Sequence, residues 1–160
     1  MSSVESHKNF DLTIERNEDG KPYFKNAPYF FSISHSNGIV AVVLSDKNIG
    51  IDIEWLNKTR DFLSLSKRIF SNEEQKKIIN SNDLPTDFYS IWTKKEAFAK
   101  LTGNGLASIF RQDIENSVRF DLYKLSIHDQ DAILSICRGC DDNSQIIVCD
   151  SNNVFTVSQI

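Results

Sequence analysis

Apolar residues recur along this chain at two spacings, and the change from one to the other divides it. Phe88, Ile91, Trp92, Phe98 and Ala99 fall at helical spacing after Leu84-Pro85-Thr86-Asp87, a breaker followed by N-cap candidates, and Gly103 closes the run. A step of about 100° per residue places these five on one stripe of a long amphipathic helix. Lys95 falls inside that stripe, Lys94 points away from it, and Glu96 and Lys100 lie along its edge. Elsewhere period two dominates. Residues 10–16 alternate as a strand, and Asp19-Gly20-Lys21-Pro22 is turn chemistry. Segments 30–34 and 39–44 are strands joined through Asn37-Gly38, a strong tight-hairpin signal, and a third sheet strand follows over 49–54. Residues 61–69 and 71–79 predict two short helices ahead of the long one. Beyond Gly103 and Gly105, segments 118–127, 132–137, 146–149 and 154–157 predict strands. This order implies an α+β domain in which an antiparallel sheet packs against the long helix.

Composition narrows the picture. With 160 residues, 40% hydrophobic and 25% charged, the chain has the make-up of one soluble domain over 10–160, preceded by a frayed polar tail over 1–9. No leader-like opening or membrane-length apolar run is present, so a cytoplasmic location without membrane contact is expected. A net charge of −4 argues against nucleic acid, which draws on clustered Lys and Arg. Three cysteines, an odd number, point to reduced thiols. Cys137-Arg138-Gly139-Cys140 has the spacing of half a zinc site, which His128 and Cys149 could complete. That site is set aside, because those two lack paired local spacing and Cys137 alternates with apolar residues as a core strand position does.

Candidate chemistry sits on the third sheet strand and the long helix. In Ile49-Gly50-Ile51-Asp52-Ile53-Glu54 the isoleucines face one side, and Gly50, Asp52 and Glu54 the other, the side that a half-exposed strand turns to water. Asp52 and Glu54 then stand roughly 7 Å apart, near enough to share one hard cation, and unneutralised acids on one strand face repel. Glu96 becomes a third ligand if the long helix crosses this strand. Glu96 and Lys100, four apart in the favourable order, also suit an ordinary surface pair. Ser34 and His35 offer hydroxyl and imidazole donors to a phosphate, and equally suit the polar end of a hairpin. Ser71-Asn72-Glu73-Glu74 has the spacing of a capping box, yet Glu74 facing a metal could take a proton from a hydroxyl; both readings stay open.

Placed in order, Gly20-Lys21-Pro22, Ile33-Ser34-His35-Ser36, the Asp52 strand, Phe70-Ser71-Asn72-Glu73-Glu74, Trp92-Thr93-Lys94-Lys95-Glu96-Ala97-Phe98-Ala99-Lys100 and Gly103-Asn104-Gly105-Leu106 resemble the 4'-phosphopantetheinyl transferase superfamily, most closely the surfactin-synthetase-activating type. The resemblance implies transfer of the phosphopantetheine arm of coenzyme A to a serine of an acyl or peptidyl carrier protein, releasing adenosine 3',5'-bisphosphate. It assigns Mg²⁺ to Asp52, Glu54 and Glu96, and pyrophosphate neutralisation to Lys95 and Lys100. It makes Glu74 the general base, places coenzyme A phosphates on Ser34 and His35, and has Lys21 and Pro22 border the adenine. Members of that type carry two pseudo-repeated halves, and this chain matches one half with an extra N-terminal hairpin. A homo-oligomer that completes the cleft is therefore expected. The alternative is a catalytically impaired relative that binds coenzyme A or carrier protein. Lys58, Arg60, Lys67 and Arg68 form a basic cluster suited to recruiting an acidic carrier, or an ordinary solvated helix face.

Overall fold

The computed structural model describes residues 12–18, 20–114, 118–127, 129–142 and, for the backbone, 155–159. The expected tail over 1–9, the start of the strand over 10–16, the strand over 146–149, and His128 and Cys149 lie outside the described residues. Two hairpins open the fold. Strands β1 (Ile14–Arg16) and β2 (Pro22–Phe24) pair antiparallel, with Ile14 opposite Phe24. β2 was not expected from the sequence, because a three-residue strand opening on a proline carries almost no periodic signal. Strands β3 (Phe30–Ser36) and β4 (Ile39–Ser45) form the second hairpin. Its turn takes positive φ at both Asn37 (41°) and Gly38 (90°), as a two-residue turn matched to strand twist requires.

The main sheet is antiparallel in the order β5-β7-β6-β8, built from β5 (Ile49–Trp55), β6 (Arg119–Ile127), β7 (Gln130–Arg138) and β8 (Phe155–Gln159). One face of β5 carries Ile49, Ile51 and Ile53. They pack with Ala41 of the β3–β4 hairpin and with Tyr123, Leu125, Leu134 and Ile136 in one apolar core. Between β5 and β6 run three helices: α1 (Phe62–Ile69), α2 (Asn72–Ile79) and α3 (Leu84–Thr102). Each begins on a side-chain cap, from Asp61, Ser71 and Asp83 respectively. α3 starts a turn earlier than Thr86 or Asp87 would set it, since Pro85 sits in the first turn, where its missing N–H is no loss. Gly103 ends α3 with φ 79°, the left-handed cap that glycine adopts without strain.

α3 is less one-sided than the stripe suggests. Ile91, Thr93, Lys95, Ala97, Ala99 and Leu101 are all buried, an alternation that one stripe cannot produce. The cause is that neighbours surround the helix. Ala97 and Leu101 meet Cys137 of the sheet, Ile91 packs among residues of α1 and α2, and Ala99 packs on Ile109 and Ile114. No helix among the described residues is long and apolar enough to cross a membrane.

Candidate active site

The site begins with a glycine. A side chain on Gly50 would overlap the backbone carbonyl of Ala97 and come within 2.7 Å of the Leu101 amide, so its absence lets α3 lie directly on β5. The face with Gly50, Asp52 and Glu54 is therefore covered, which corrects the expectation that Asp52 looks toward water. Asp52 is only 3% exposed. Its Oδ1 accepts from Lys100 Nζ at 2.8 Å and from Ser34 Oγ at 2.8 Å. Its Oδ2 is buried with no hydrogen-bond partner among the described residues. Burial raises the Asp52 pKa above its ordinary value, outweighing the opposing pull of Lys100 and Ser34.

The serines of β3 explain how this acid is held. β5 is an edge strand of its sheet, so alternate backbone amides lack ladder partners. Ile51 N–H donates to Ser32 Oγ and Ile53 N–H to Ser34 Oγ, while the hydroxyls of Ser34 and Ser36 donate hydrogen bonds to Asp52 Oδ1 and Glu54 Oε2. Ser36 and Ser32 were not assigned roles from sequence. The signal was present in the alternation Ser32, Ser34, Ser36, which has the same period as Gly50, Asp52, Glu54.

Glu96, on the neighbouring α3, completes the acidic group. Burial, then the nearby charges of Asp52 and Glu54, push its pKa up to about 7 although Lys100 pulls the other way. Glu96 and Lys100 line a cleft of about 380 Å³ whose other walls are Gly20-Lys21-Pro22, Phe31 to Ile33, and Gly103 to Leu106. Lys21 does not reach freely into that cleft. Its ammonium donates to the Leu101 carbonyl at 3.0 Å and to Asn48 Oδ1 at 2.9 Å, and Asn48 itself donates to Leu101 O at 2.7 Å. Lys21 and Asn48 thereby tie the last turn of α3 to the loop before β5. Asn48 was also missed, because a lone loop asparagine has no distinguishing sequence pattern.

Ser34 and His35, expected side by side on a phosphate, face opposite sides of β3: Ser34 is buried against Asp52 and His35 is exposed. Lys95 and Glu74 form a separate enclosed pair. Lys95 is fully buried, with Nζ 3.0 Å from Glu74 Oε1 and donating to Gln112 O at 2.7 Å. Glu74 Oε2 accepts from Ser71 N–H at 2.7 Å, so the capping box is formed and both carboxylate oxygens are engaged. Neither side chain lines the cleft. Lys58, Arg60, Lys67 and Arg68 are exposed, with Arg60 over the Tyr89 ring at 5.9 Å.

The chemistry of Asp52, Glu54 and Glu96 suits a hard divalent cation: oxygen donors only, a Glu96 lifted first by burial and then by the charges of Asp52 and Glu54, and one buried carboxylate oxygen, Asp52 Oδ2, without a partner among the described residues. Among the described residues no three acidic, His or Cys side chains already stand at metal-ligand spacing. The Lys100 ammonium supplies the positive charge against Asp52 in this arrangement. A cation here would share its shell with ligand oxygens and water rather than sit in a protein cage.

An antiparallel sheet is thus crossed by an acid-bearing helix beside a cleft edged by Lys21 and Lys100. A family profile described as the 4'-phosphopantetheinyl transferase superfamily matches residues 48–149, and the chain belongs to that superfamily. The 4'-phosphopantetheinyl transferase Sfp of Bacillus subtilis is 35% identical over 130 residues, covering 79% of this chain and 52% of that protein. The 4'-phosphopantetheinyl transferase psf-1 of Bacillus pumilus is 35% identical over 99 residues (60% of this chain, 42% of that protein). The 4'-phosphopantetheinyl transferase AcpT of Salmonella typhimurium is 35% identical over 102 residues (60% and 52%). The chain spans about half the length of the curated relatives it matches.

Proposed function

We propose that this chain transfers the 4'-phosphopantetheine arm of coenzyme A to a serine of an acyl or peptidyl carrier protein. The observation that carries the proposal is that Lys100, which lines the cleft together with Glu96, is bonded to the buried Asp52 behind it, where α3 lies on β5. In the reaction the carrier serine oxygen forms a bond to the phosphorus that bears the pantetheine arm, and the bond from that phosphorus to the bridging oxygen breaks. Adenosine 3',5'-bisphosphate leaves with the electron pair, and the serine proton passes to a base. Asp52, Glu54 and Glu96 would hold Mg²⁺, which when bound supplies positive charge to the pyrophosphate oxygens. Lys100, a third exposed and lining the cleft, neutralises the charge that builds on the leaving bisphosphate. Pro22 and the Lys21 backbone border the adenine, and exposed His35 offers a phosphate donor. Ser34 reaches phosphate only by releasing Asp52, and otherwise orients that carboxylate.

Glu74 is assigned as the base, alone or through a water, and Lys95 as a second phosphate counter-charge. Both roles require the enclosed Lys95–Glu74 pair to open toward the cleft. That enclosure favours a second reading, a binding module that holds coenzyme A or carrier protein without turnover. Chromatography of a reaction containing coenzyme A, Mg²⁺ and apo carrier separates the two. Carrier-dependent release of adenosine 3',5'-bisphosphate supports the transferase, and retained coenzyme A with no release supports the module.

For partners, the exposed basic cluster at Lys58, Arg60, Lys67 and Arg68 suits an acidic carrier. A second copy of this chain is proposed over the β3–β4 hairpin, where Ile33, Val40, Val42 and Leu44 are exposed on one face. Ile33 belongs both to that face and to the cleft wall, so a copy seated there borders the cleft. Sedimentation that stays monomeric across a wide concentration range excludes it.

A further inference from the structure

We propose that Lys100 is a built-in counter-ion that keeps divalent cations off Asp52 until a polyphosphate enters the cleft, so that metal and phosphorylated ligand load together. This rests on the transferase reading of the cleft, and it concerns the order in which the site fills.

The Lys100 ammonium touches Asp52 Oδ1, the oxygen that Ser34 also holds. A divalent ion binding this carboxylate would face the ammonium across a partly buried gap, where like charges are screened far less than in water. Asp52 Oδ2 meanwhile has no partner among the described residues, so the carboxylate has coordination capacity that the ammonium leaves unused. Lys100 is free to change sides. It sits in the last turn of α3, is 29% exposed, and lines the cleft on a flexible four-carbon stem. Ser34 keeps the carboxylate in place when the ammonium leaves. Lys95 cannot act this way, since it is 0% exposed and bonded at Glu74 and Gln112. An anionic phosphate in the cleft draws Lys100 away from Asp52 and vacates the position for the metal. The two ligands must then strengthen each other's binding by the same factor.

Titration of the protein with Mn²⁺ alone, followed by its electron paramagnetic resonance signal, tests this with and without coenzyme A. Wild type should bind Mn²⁺ weakly alone and about tenfold or more tightly with coenzyme A, within the usual span of coupling. Lys100→Gln should bind Mn²⁺ tightly without coenzyme A and lose most of the enhancement, whereas Lys100→Arg, which keeps the charge, should stay weak. Circular dichroism confirms that each variant is folded. Equal or weaker Mn²⁺ affinity in Lys100→Gln, with coenzyme A still enhancing binding to wild type, overturns the counter-ion role and leaves the transferase reading intact. Absence of Mn²⁺ binding to any form, with or without coenzyme A, overturns both.

Discussion

Gly50→Ala tests the contact on which the site geometry depends. The added methyl would overlap the Ala97 carbonyl and stand 2.7 Å from the Leu101 amide. Both are backbone atoms of α3, so no rotamer change relieves the clash. The helix has to retreat by roughly 1.5–2 Å at the Ala97 carbonyl to restore ordinary separations of about 3.5–4.0 Å. Overpacking of this kind costs about 1–3 kcal/mol, offset in part by the reduced freedom that alanine gives the unfolded chain, about 0.4–1 kcal/mol. The net loss is about 1–2 kcal/mol, which for a domain of this size lowers Tm by about 2–8 °C. The same retreat carries Lys100 and Glu96 away from Asp52, so metal-dependent activity should fall more than stability does. Thermal melts by circular dichroism, paired with activity below the melt, read both effects. A variant melting within about 1 °C of wild type and fully active would refute the close approach of α3 to β5.

Other perturbations probe the site one group at a time. Ser34→Ala removes the acceptor for Ile53 N–H and a donor to buried Asp52, and should cost about 1–3 kcal/mol in urea unfolding; an unchanged midpoint contradicts the serine bracing. Asp52→Asn should abolish transfer with the fold kept on circular dichroism, since burial already disfavours the ionised carboxylate in the folded state; full transfer by the folded variant contradicts the role of Asp52. Glu96 binds its proton up to about pH 7 when folded but only to the ordinary carboxylate range when unfolded, so the folded state holds more protons between those values. With chelator present, stability should therefore fall as pH rises from about 4.5 to 7, and Glu96→Gln should flatten that fall. Parallel urea titrations at the two ends of that window check it, and a slope of opposite sign refutes the burial of Glu96 beside Asp52 and Glu54.

Much of this was legible in the sequence because the physics is local. Asn37-Gly38, the Ser71 capping box and the Gly103 terminus each follow from backbone preferences within a few residues, and all three form, the capping box being one of the two readings left open for Glu74. The alternation in β5 correctly put Gly50, Asp52 and Glu54 on one face, and the helix does cross that face. Exposure was not legible, because it depends on what packs from elsewhere. Asp52 is buried under α3, Ser34 is committed to Asp52, and Lys21 is committed to Leu101 O, each through a contact between distant segments. The stripe on α3 likewise placed Lys95 on the packed face but did not foretell its partners Glu74 and Gln112, nor the contact of Thr93 with Ser135 of β7. Asn48 carries no local signal at all.

The most direct test is the intact mass of a purified apo carrier protein after incubation with this chain, coenzyme A and Mg²⁺. Active transfer adds one phosphopantetheine group to the carrier serine, and the gain disappears with chelator or with Asp52→Asn. A folded, coenzyme A-binding protein that leaves the mass of several acyl and peptidyl carriers unchanged would contradict the account.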